Sequence, residues 1–327
     1  MASSYTATDA HAYEHLMGRW SSRLAEELIA FAGIEVGDRV LDVGWGTGSM
    51  AFALAARAEP AAIADIDIAM PYTAYASTRS SDPRLTFMTG DAVALDLPTG
   101  SFDRCFSLLA LNFMSDPARA LDGMRRVTRP GGAVAAAVWD FAGGLVYQRI
   151  FWDTAAALDP EADLARGRHF SSPLIRPGEI VAAFEDAGLR CVQPASLTIR
   201  MEYAGFNDYW EPIANAQGPV GDYVKRLSRD RIETLSAAVR RAYLVGGPDG
   251  PRSMRPRGRL AAWCRNRVQR RRSSNEAERT QSDQRQDRRR HQGSDDGACA
   301  DRHWRRSDRH LVDHQRGRRR TRSEGRR

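Results

Sequence analysis

The chain has 327 residues, of which 42% are hydrophobic, and this is enough for one large domain or two smaller ones. It contains no apolar run of about 18 residues and no basic segment followed by an apolar block at its N-terminus, so we expect neither a membrane span nor a secretory signal. Its four cysteines are scattered without a C-x-x-C pair, which argues against a zinc site or a disulfide framework and predicts a cytoplasmic protein.

The net charge of +7 is unevenly distributed along the chain. From residue 252 onward there are 25 arginines and 10 acidic residues, a net charge of +15, whereas residues 1–251 carry a net charge of −8. Any argument for nucleic-acid binding therefore rests on the basic tail alone.

Residues 11–32 predict one or two helices, because Leu24, Leu28 and Ile29 form an apolar stripe at helical spacing. The part from Tyr13 to Ser21 is richer in aromatic and polar side chains than a packing helix requires. A surface helix that leans on the core is one interpretation of this segment.

Residues 40–48 contain an apolar run, an acid and three glycines at alternate positions, and an alanine-rich helical segment follows them. A strand, a glycine turn and a helix form the arrangement in which a backbone passes close to a nucleotide-like ligand. The spacing G-x-G-x-G differs from the dinucleotide fingerprint, and the lysine of a phosphate-binding loop is missing. Asp42 would repel a phosphate but suits a cationic ligand group.

Two further acids follow apolar runs. Residues 61–67 predict a strand that ends in Asp67, where a carboxylate can accept both hydroxyls of a ribose, and Asp65 competes for this role by position. Residues 85–88 predict a third strand, which Asp91 and Ala92 follow. An ordinary turn aspartate is the alternative for Asp91.

Residues 102–108 and 133–139 predict two more strands, and the helix between them ends at Arg129-Pro130-Gly131-Gly132. Alternation of strands and helices over residues 38–139 predicts an α/β fold with a doubly wound, mostly parallel sheet. Ligands of such folds bind at the carboxyl ends of the strands, where the three acids fall.

The segment 40–48 resembles motif I of the class I S-adenosylmethionine-dependent methyltransferases, and the run 129–132 resembles the element before their fifth strand. The likeness covers about residues 11–245 and is to the small-molecule, ubiquinone/menaquinone-biosynthesis-like group. It implies a Rossmann-like methyltransferase fold with a seven-stranded sheet. It also implies transfer of a methyl group from S-adenosylmethionine to a small-molecule acceptor, with release of S-adenosylhomocysteine.

The resemblance implies the residues that bind the cofactor. Asp67 is chosen over Asp65 because an acid followed by a helix with Tyr-Ala fits the family from Asp67 onward. Asp91 and Ala92 correspond to an adenine-binding pair, and Leu108 corresponds to a position whose backbone contacts the cofactor. The full implied set is Asp42, Gly44, Gly46, Thr47, Gly48, Asp67, Ile68, Asp91, Ala92 and Leu108.

Two further features are interpreted through the same resemblance. Residues 1–36 correspond to an N-terminal helical segment that closes over the cofactor, as the alternative to a surface helix. Trp45 departs from the family, which usually has a small residue there, and its indole would weaken cofactor binding if it pointed into the pocket.

Residues 140–245 predict a helical cap over the site, so that the methyltransferase domain spans 37–250. We predict no metal site and name no catalytic residue. His169 lies in a stretch from 159 to 176 that is predicted to be irregular, and it is interpreted as a surface histidine, with a general-base role as the alternative.

Residues 251–327 predict a disordered basic tail, because they lack Ile, Phe and Tyr. An out-of-frame reading of a GC-rich gene is our preferred explanation, and a nucleic-acid-binding tail is the alternative. Two other functions stay open: a binding protein of this fold without transferase activity, and an RNA-associated methyltransferase that uses the tail. The glycine spacing disfavours a nucleotide-dependent oxidoreductase. We make no prediction of the oligomeric state.

Overall fold

The computed structural model describes residues 9–141, 143–216 and 218–265. The predicted disordered tail lies outside the described residues from position 266 onward. Within the described ranges, no helix combines the length and the apolar character that crossing a membrane requires.

Five parallel strands form the centre of the sheet. Their order is β3-β2-β1-β4-β5. Strands β2 and β3 are added on one side of β1, and β4 and β5 on the other, so the strand order reverses between β1 and β4. The predicted α/β fold with a mostly parallel sheet is thereby confirmed, and the reversal marks the edge where such folds bind ligands. These strands are β1 (Arg39–Val43), β2 (Ala62–Asp67), β3 (Leu85–Thr89), β4 (Phe102–Leu108) and β5 (Thr128–Trp139).

Four more strands come from the second half of the described chain. They are β6 (Gln193–Thr198), β7 (Met201–Tyr203), β8 (Arg252–Met254) and β9 (Arg257–Arg265). Strand β9 pairs antiparallel with both β5 and β6, while β7 and β8 form a separate two-stranded sheet. Main-chain pairing of β9 therefore continues the sheet past residue 250.

The helices next to the sheet cover its two faces. On one face, Val40 and Ile63 lie in the hydrophobic cluster that α2 (Arg19–Ala32) and α3 (Ser49–Ala55) complete. On the other face, Leu41 and Val43 lie in the cluster that α5 (Pro117–Val127) and α8 (Glu179–Asp186) complete. Alternate residues of each strand point to opposite faces, so a strand buried on both faces is mostly apolar, as β1 is apart from Arg39 at its start and Asp42. These helices are α1 (Ala10–Tyr13), α2 (Arg19–Ala32), α3 (Ser49–Ala55), α4 (Met70–Ser77), α5 (Pro117–Val127) and α8 (Glu179–Asp186), with a π-helix at Glu14–Gly18 and 3₁₀ turns at Ala92–Ala94 and Leu111–Phe113.

The cap is helical and contains one helix that the sequence reasoning missed. Helix α7 occupies much of the stretch predicted to be irregular, because Asp159 accepts a hydrogen bond from the Glu161 amide as N-cap and Pro160 takes the first helical position. The cap helices are α6 (Val146–Leu158), α7 (Pro160–His169), α9 (Phe206–Ala214), α10 (Gly218–Val224) and α11 (Arg229–Leu244).

Candidate functional site

The glycine turn after β1 adopts a backbone that side chains rarely tolerate. Gly44, Gly46 and Gly48 have φ angles of 78°, 59° and 97°. A Cβ on Gly44 would lie 2.4 Å from the Cβ of Ala110, and a Cβ on Gly48 would lie 2.6 Å from the ring of Phe52. The turn therefore needs glycine for both its backbone conformation and its packing.

Asp67, at the end of β2, is held against this turn by main-chain amides. The Gly46 amide donates to its Oδ2 at 2.9 Å and the Ala69 amide donates to its Oδ1 at 2.8 Å. Burial raises the pKa of Asp67, and the backbone hydrogen bonds oppose this rise. Each oxygen keeps a second lone pair, so the carboxylate can still accept hydrogen bonds from ligand hydroxyls. Ile68, next in the chain, is 66% exposed.

Asp42 and Asp65 lie opposite each other on β1 and β2, on the same face of the sheet, and neither is exposed to solvent. In the part of the chain that the structure describes, none of their four carboxylate oxygens has a hydrogen-bond partner. Burial raises the pKa of both residues, the charge of Asp67 raises that of Asp42 further, and the charge of Asp42 raises that of Asp65 further. The nearby Val43 amide opposes the shift of Asp42 only in part.

Burying two ionised carboxylates without a cation costs desolvation free energy. This pair therefore favours a positively charged ligand group or a retained proton. Among the described residues, no group of three His, Cys, Asp or Glu side chains has a geometry that could hold a metal ion.

The remaining predicted site residues come from the ends of β3 and β4. Asp91 is exposed and caps the turn Ala92–Ala94, since its Oδ1 accepts a hydrogen bond from the Val93 amide at 2.9 Å. Leu108 is buried, and Leu109 after it has a φ of 62°, which is unusual for a leucine. The parallel order of β1 to β4 thus brings all the predicted cofactor residues to one edge of the sheet.

The N-terminal segment packs on the glycine turn. The Thr47 hydroxyl donates to Glu14, and the Arg79 guanidinium donates to the Thr47 carbonyl at 3.2 Å while lying 3.6 Å from Glu14. The ring of Tyr13 lies 5.6 Å from that of Tyr72, centre to centre. Sequence reasoning missed Glu14 and Arg79 as site residues, although the polar and aromatic density of the segment was a signal for Glu14.

His169 is buried, with 6% exposure, so its interpretation as a surface residue is wrong. It is the last residue of α7, which the sequence reasoning missed, and its ring lies edge-on to Phe141 at 4.6 Å. Burial lowers the pKa of His169 to about 4, so the imidazole is neutral at pH 7.

Trp45 packs inward. Its ring lies 4.8 Å from that of Phe87 on β3, only 4% of the residue is exposed, and its indole N–H has no partner among the residues described. The tryptophan is therefore buried beside β3, and its effect on cofactor binding stays a prediction.

Comparisons with known proteins agree with this architecture. Residues 41–136 match the family model described as a methyltransferase domain. The ubiquinone/menaquinone biosynthesis C-methyltransferase of Bdellovibrio bacteriovorus is 34% identical over 113 residues, which are 33% of this chain and 47% of that protein. Erythromycin 3''-O-methyltransferase of Saccharopolyspora erythraea is 32% identical over 148 residues, 41% of this chain and 48% of that protein. The chain thus spans about half the length of these curated relatives.

A solved structure has the same fold. Phosphoethanolamine N-methyltransferase 2 of Haemonchus contortus, in complex with S-adenosyl-L-methionine, superimposes with a TM-score of 0.50 at 19% identity, over 77% of this chain and 56% of that chain. At this identity the likeness concerns the fold alone. The family match over residues 41–136, from β1 into β5, supports the resemblance of this part of the chain to the class I S-adenosylmethionine-dependent methyltransferases.

Proposed function

We propose that this chain transfers a methyl group from S-adenosylmethionine to a small-molecule acceptor and releases S-adenosylhomocysteine. The observation that carries the proposal is the acidic floor beneath the glycine turn, where Asp42 and Asp65 are buried without hydrogen-bond partners among the described residues and Asp67 is fixed by two amides. S-adenosylmethionine suits such a floor, because it carries an ammonium, a sulfonium and a ribose with two hydroxyls.

Each predicted residue has a proposed role in holding the cofactor. Asp67 accepts the ribose hydroxyls, Asp42 attracts the cationic end, and Asp91 with the Ala92 amide contacts the adenine. Gly44, Gly46, Thr47 and Gly48 give a close main-chain surface, and Ile68 and Leu108 line the pocket. When bound, the cofactor supplies a methyl group on a sulfonium, which is already a good leaving group. The chain mainly orients the acceptor, an effect that supplies about 7–11 kcal/mol in favourable cases.

The proposal also concerns the class of acceptor, the completion of the sheet and the site, and the location of the protein. The acceptor is a small molecule, which the names of the relatives for erythromycin and ubiquinone/menaquinone biosynthesis support. Strands β6 and β9 complete a seven-stranded sheet, and the N-terminal segment 1–36 covers the bound cofactor. A cytoplasmic location is supported by the scattered cysteines, of which Cys105 and Cys191 are free.

Calorimetric titration of the full chain with S-adenosylmethionine and with NAD tests the proposal. We expect S-adenosylmethionine to bind and Asp67→Ala to weaken it on the order of 10²-fold, since two hydrogen bonds to a charged acceptor are lost. Asp186→Ala, an exposed acid at the end of α8, is the matched control and should bind like the wild type. Binding of NAD without S-adenosylmethionine would overturn the proposal.

A further inference from the structure

A chain of hydrogen bonds connects the cap to the N-terminal segment. His169 Nε2 lies 2.6 Å from the side-chain oxygen of Gln148, whose amide nitrogen donates to the Tyr147 hydroxyl at 3.0 Å. The Tyr147 hydroxyl in turn donates to the sulfur of Met17 at 2.9 Å. Met17 belongs to the π-helix whose Glu14 contacts the glycine turn. The chain therefore ties the surroundings of His169 to the proposed cofactor site.

This hydrogen-bond chain assigns the tautomer of His169. The Gln148 amide nitrogen is used on Tyr147, so the oxygen of that amide faces His169, and an amide oxygen can only accept. Nε2 therefore carries the hydrogen, and Nδ1 carries a lone pair. Because the imidazole is neutral at pH 7, the lone pair of Nδ1 is available to accept a hydrogen bond from a ligand.

The surroundings of His169 are aromatic and contain unpaired polar atoms. Its ring contacts Phe141 at 4.6 Å, Phe170 at 5.3 Å and Trp152 at 5.8 Å. In the described part of the chain, His169 Nδ1 and the indole N–H of Trp152 are both buried without a hydrogen-bond partner. Buried polar atoms in native proteins rarely remain unpaired, so a ligand with its own polar group would satisfy them.

One of these aromatic residues, Phe141, lies at the edge of the sheet where the predicted cofactor residues converge. Phe141 follows the end of β5 by two residues, and Phe113, in the turn after β4, packs edge-on against it with ring centres 6.4 Å apart. The histidine thus stands beside the carboxyl ends of β4 and β5, next to the reversal of strand order between β1 and β4.

We propose that His169 is the catalytic base and that the acceptor is a hydroxyl group on an aromatic ring. This inference rests on the proposed methyl transfer. A new bond forms between the hydroxyl oxygen and the methyl carbon, the carbon–sulfur bond breaks with its electron pair left on sulfur, and the hydroxyl proton moves to His169 Nδ1. The imidazolium then loses this proton to solvent. Gln148 acts as a positioning residue, because it holds the hydrogen on Nε2 and so keeps Nδ1 unprotonated.

The choice of a hydroxyl follows from what a base is needed for. A neutral amine attacks with a lone pair that is already available, whereas a hydroxyl is a poor nucleophile until its proton is removed. The aromatic walls favour an aromatic ring, because edge-to-face contacts of this kind are favourable beyond the buried area. A carboxylate or phosphate in this place would set its lone pairs against that of Nδ1.

Binding of two probes to the full chain tests the proposal without turnover. The probes are 2-naphthol, which has a hydroxyl to donate, and its methyl ether 2-methoxynaphthalene, which has none. We expect the wild type to prefer 2-naphthol on the order of tenfold at pH 7, the value of one good hydrogen bond. In His169→Phe, which keeps the aromatic volume, the preference should vanish while the affinity for the ether stays unchanged. Equal preference in wild type and variant, or no binding of 2-naphthol, would overturn the proposal.

A second measurement reads the tautomer directly. Nitrogen-15 spectra of histidine-labelled protein, with His169 assigned by its absence in His169→Phe, should give a protonated Nε2 and a bare Nδ1. Gln148→Leu should lose this fixed tautomer and part of the preference for 2-naphthol, whereas a merely structural role of Gln148 would leave both unchanged. A protonated Nδ1 in the wild type would contradict the base assignment.

Failure of this inference can be told apart from failure of the proposed function. If S-adenosylmethionine binds but the preference for 2-naphthol does not depend on His169, only the assignment of base and acceptor class fails. If S-adenosylmethionine does not bind, the methyltransferase proposal fails regardless of the result with 2-naphthol.

Discussion

Asp65 adds to the free-energy cost of burying carboxyl groups in the candidate site before a ligand binds. It lies opposite Asp42, and both carboxyls are buried without partners among the described residues. Burial raises the pKa of each above the ordinary value of 3.8, the charge of Asp67 adds to the shift of Asp42, and the charge of Asp42 adds to the shift of Asp65. The folded state therefore holds its protons to higher pH than the unfolded state. The stability contributed by these protons is fully present below about pH 4 and is lost as the pH rises through the folded-state pKa values.

We therefore expect Asp65→Asn to stabilise the ligand-free protein at pH 7, because it removes one ionisation and its amide can donate to Asp42. The gain in the free energy of unfolding should be on the order of 1–3 kcal/mol at pH 7 and should shrink toward pH 4. Thermal and denaturant unfolding between pH 4 and pH 8 measure it, with Asp186→Asn as the exposed control. If the difference in free energy of unfolding between Asp65→Asn and the wild type is constant across this range, or if the variant is less stable at pH 7, the proposed electrostatic cost of the Asp42–Asp65 pair is wrong.

At the scale of elements, the π-helix Glu14–Gly18 carries the contact between the N-terminal segment and the glycine turn. Glu14 accepts the Thr47 hydroxyl and pairs with Arg79, and these two ionic side chains are 23% and 38% exposed. A partly exposed ion pair of this kind contributes about 0.2–1 kcal/mol. The contact is thus weak enough to open and close, as the proposed covering of the cofactor by this segment requires.

Glu14→Gln should accordingly raise the dissociation rate of S-adenosylmethionine by up to about fivefold, with little effect on the melting temperature. Faster amide hydrogen exchange in residues 10–18 should accompany the change. Glu27→Gln, an exposed acid on α2, should alter neither quantity. The proposed covering role is contradicted if the dissociation rate is unchanged although exchange in this segment is faster.

At the scale of the whole molecule, the sequence predicts what local patterns encode. Apolar runs mark β1 to β5 because strands buried on both faces are apolar throughout, and their alternation with helices sets the parallel sheet. Helix α7 is missed because its apolar stripe is weak and Gly167 interrupts it, and the burial of His169 is missed with it. The contact of Glu14 with Thr47 and the pairing of Asp42 with Asp65 depend on tertiary packing and strand register, which no local pattern contains.

Strand β9 links the end of the described chain to the stability of the whole sheet. It lies between β5 and β6 and pairs with both, so its removal would expose the edge of β5 and separate β6 from the sheet. We expect a chain ending at residue 250 to aggregate or unfold without cooperativity, and a chain ending at residue 265, the last residue of β9, to keep cooperative unfolding and binding of S-adenosylmethionine. Circular dichroism melting and calorimetric titration of both truncations against the full chain measure this. If the chain ending at residue 250 melts and binds like the full chain, β9 is not needed for the fold, and the proposed seven-stranded sheet is wrong.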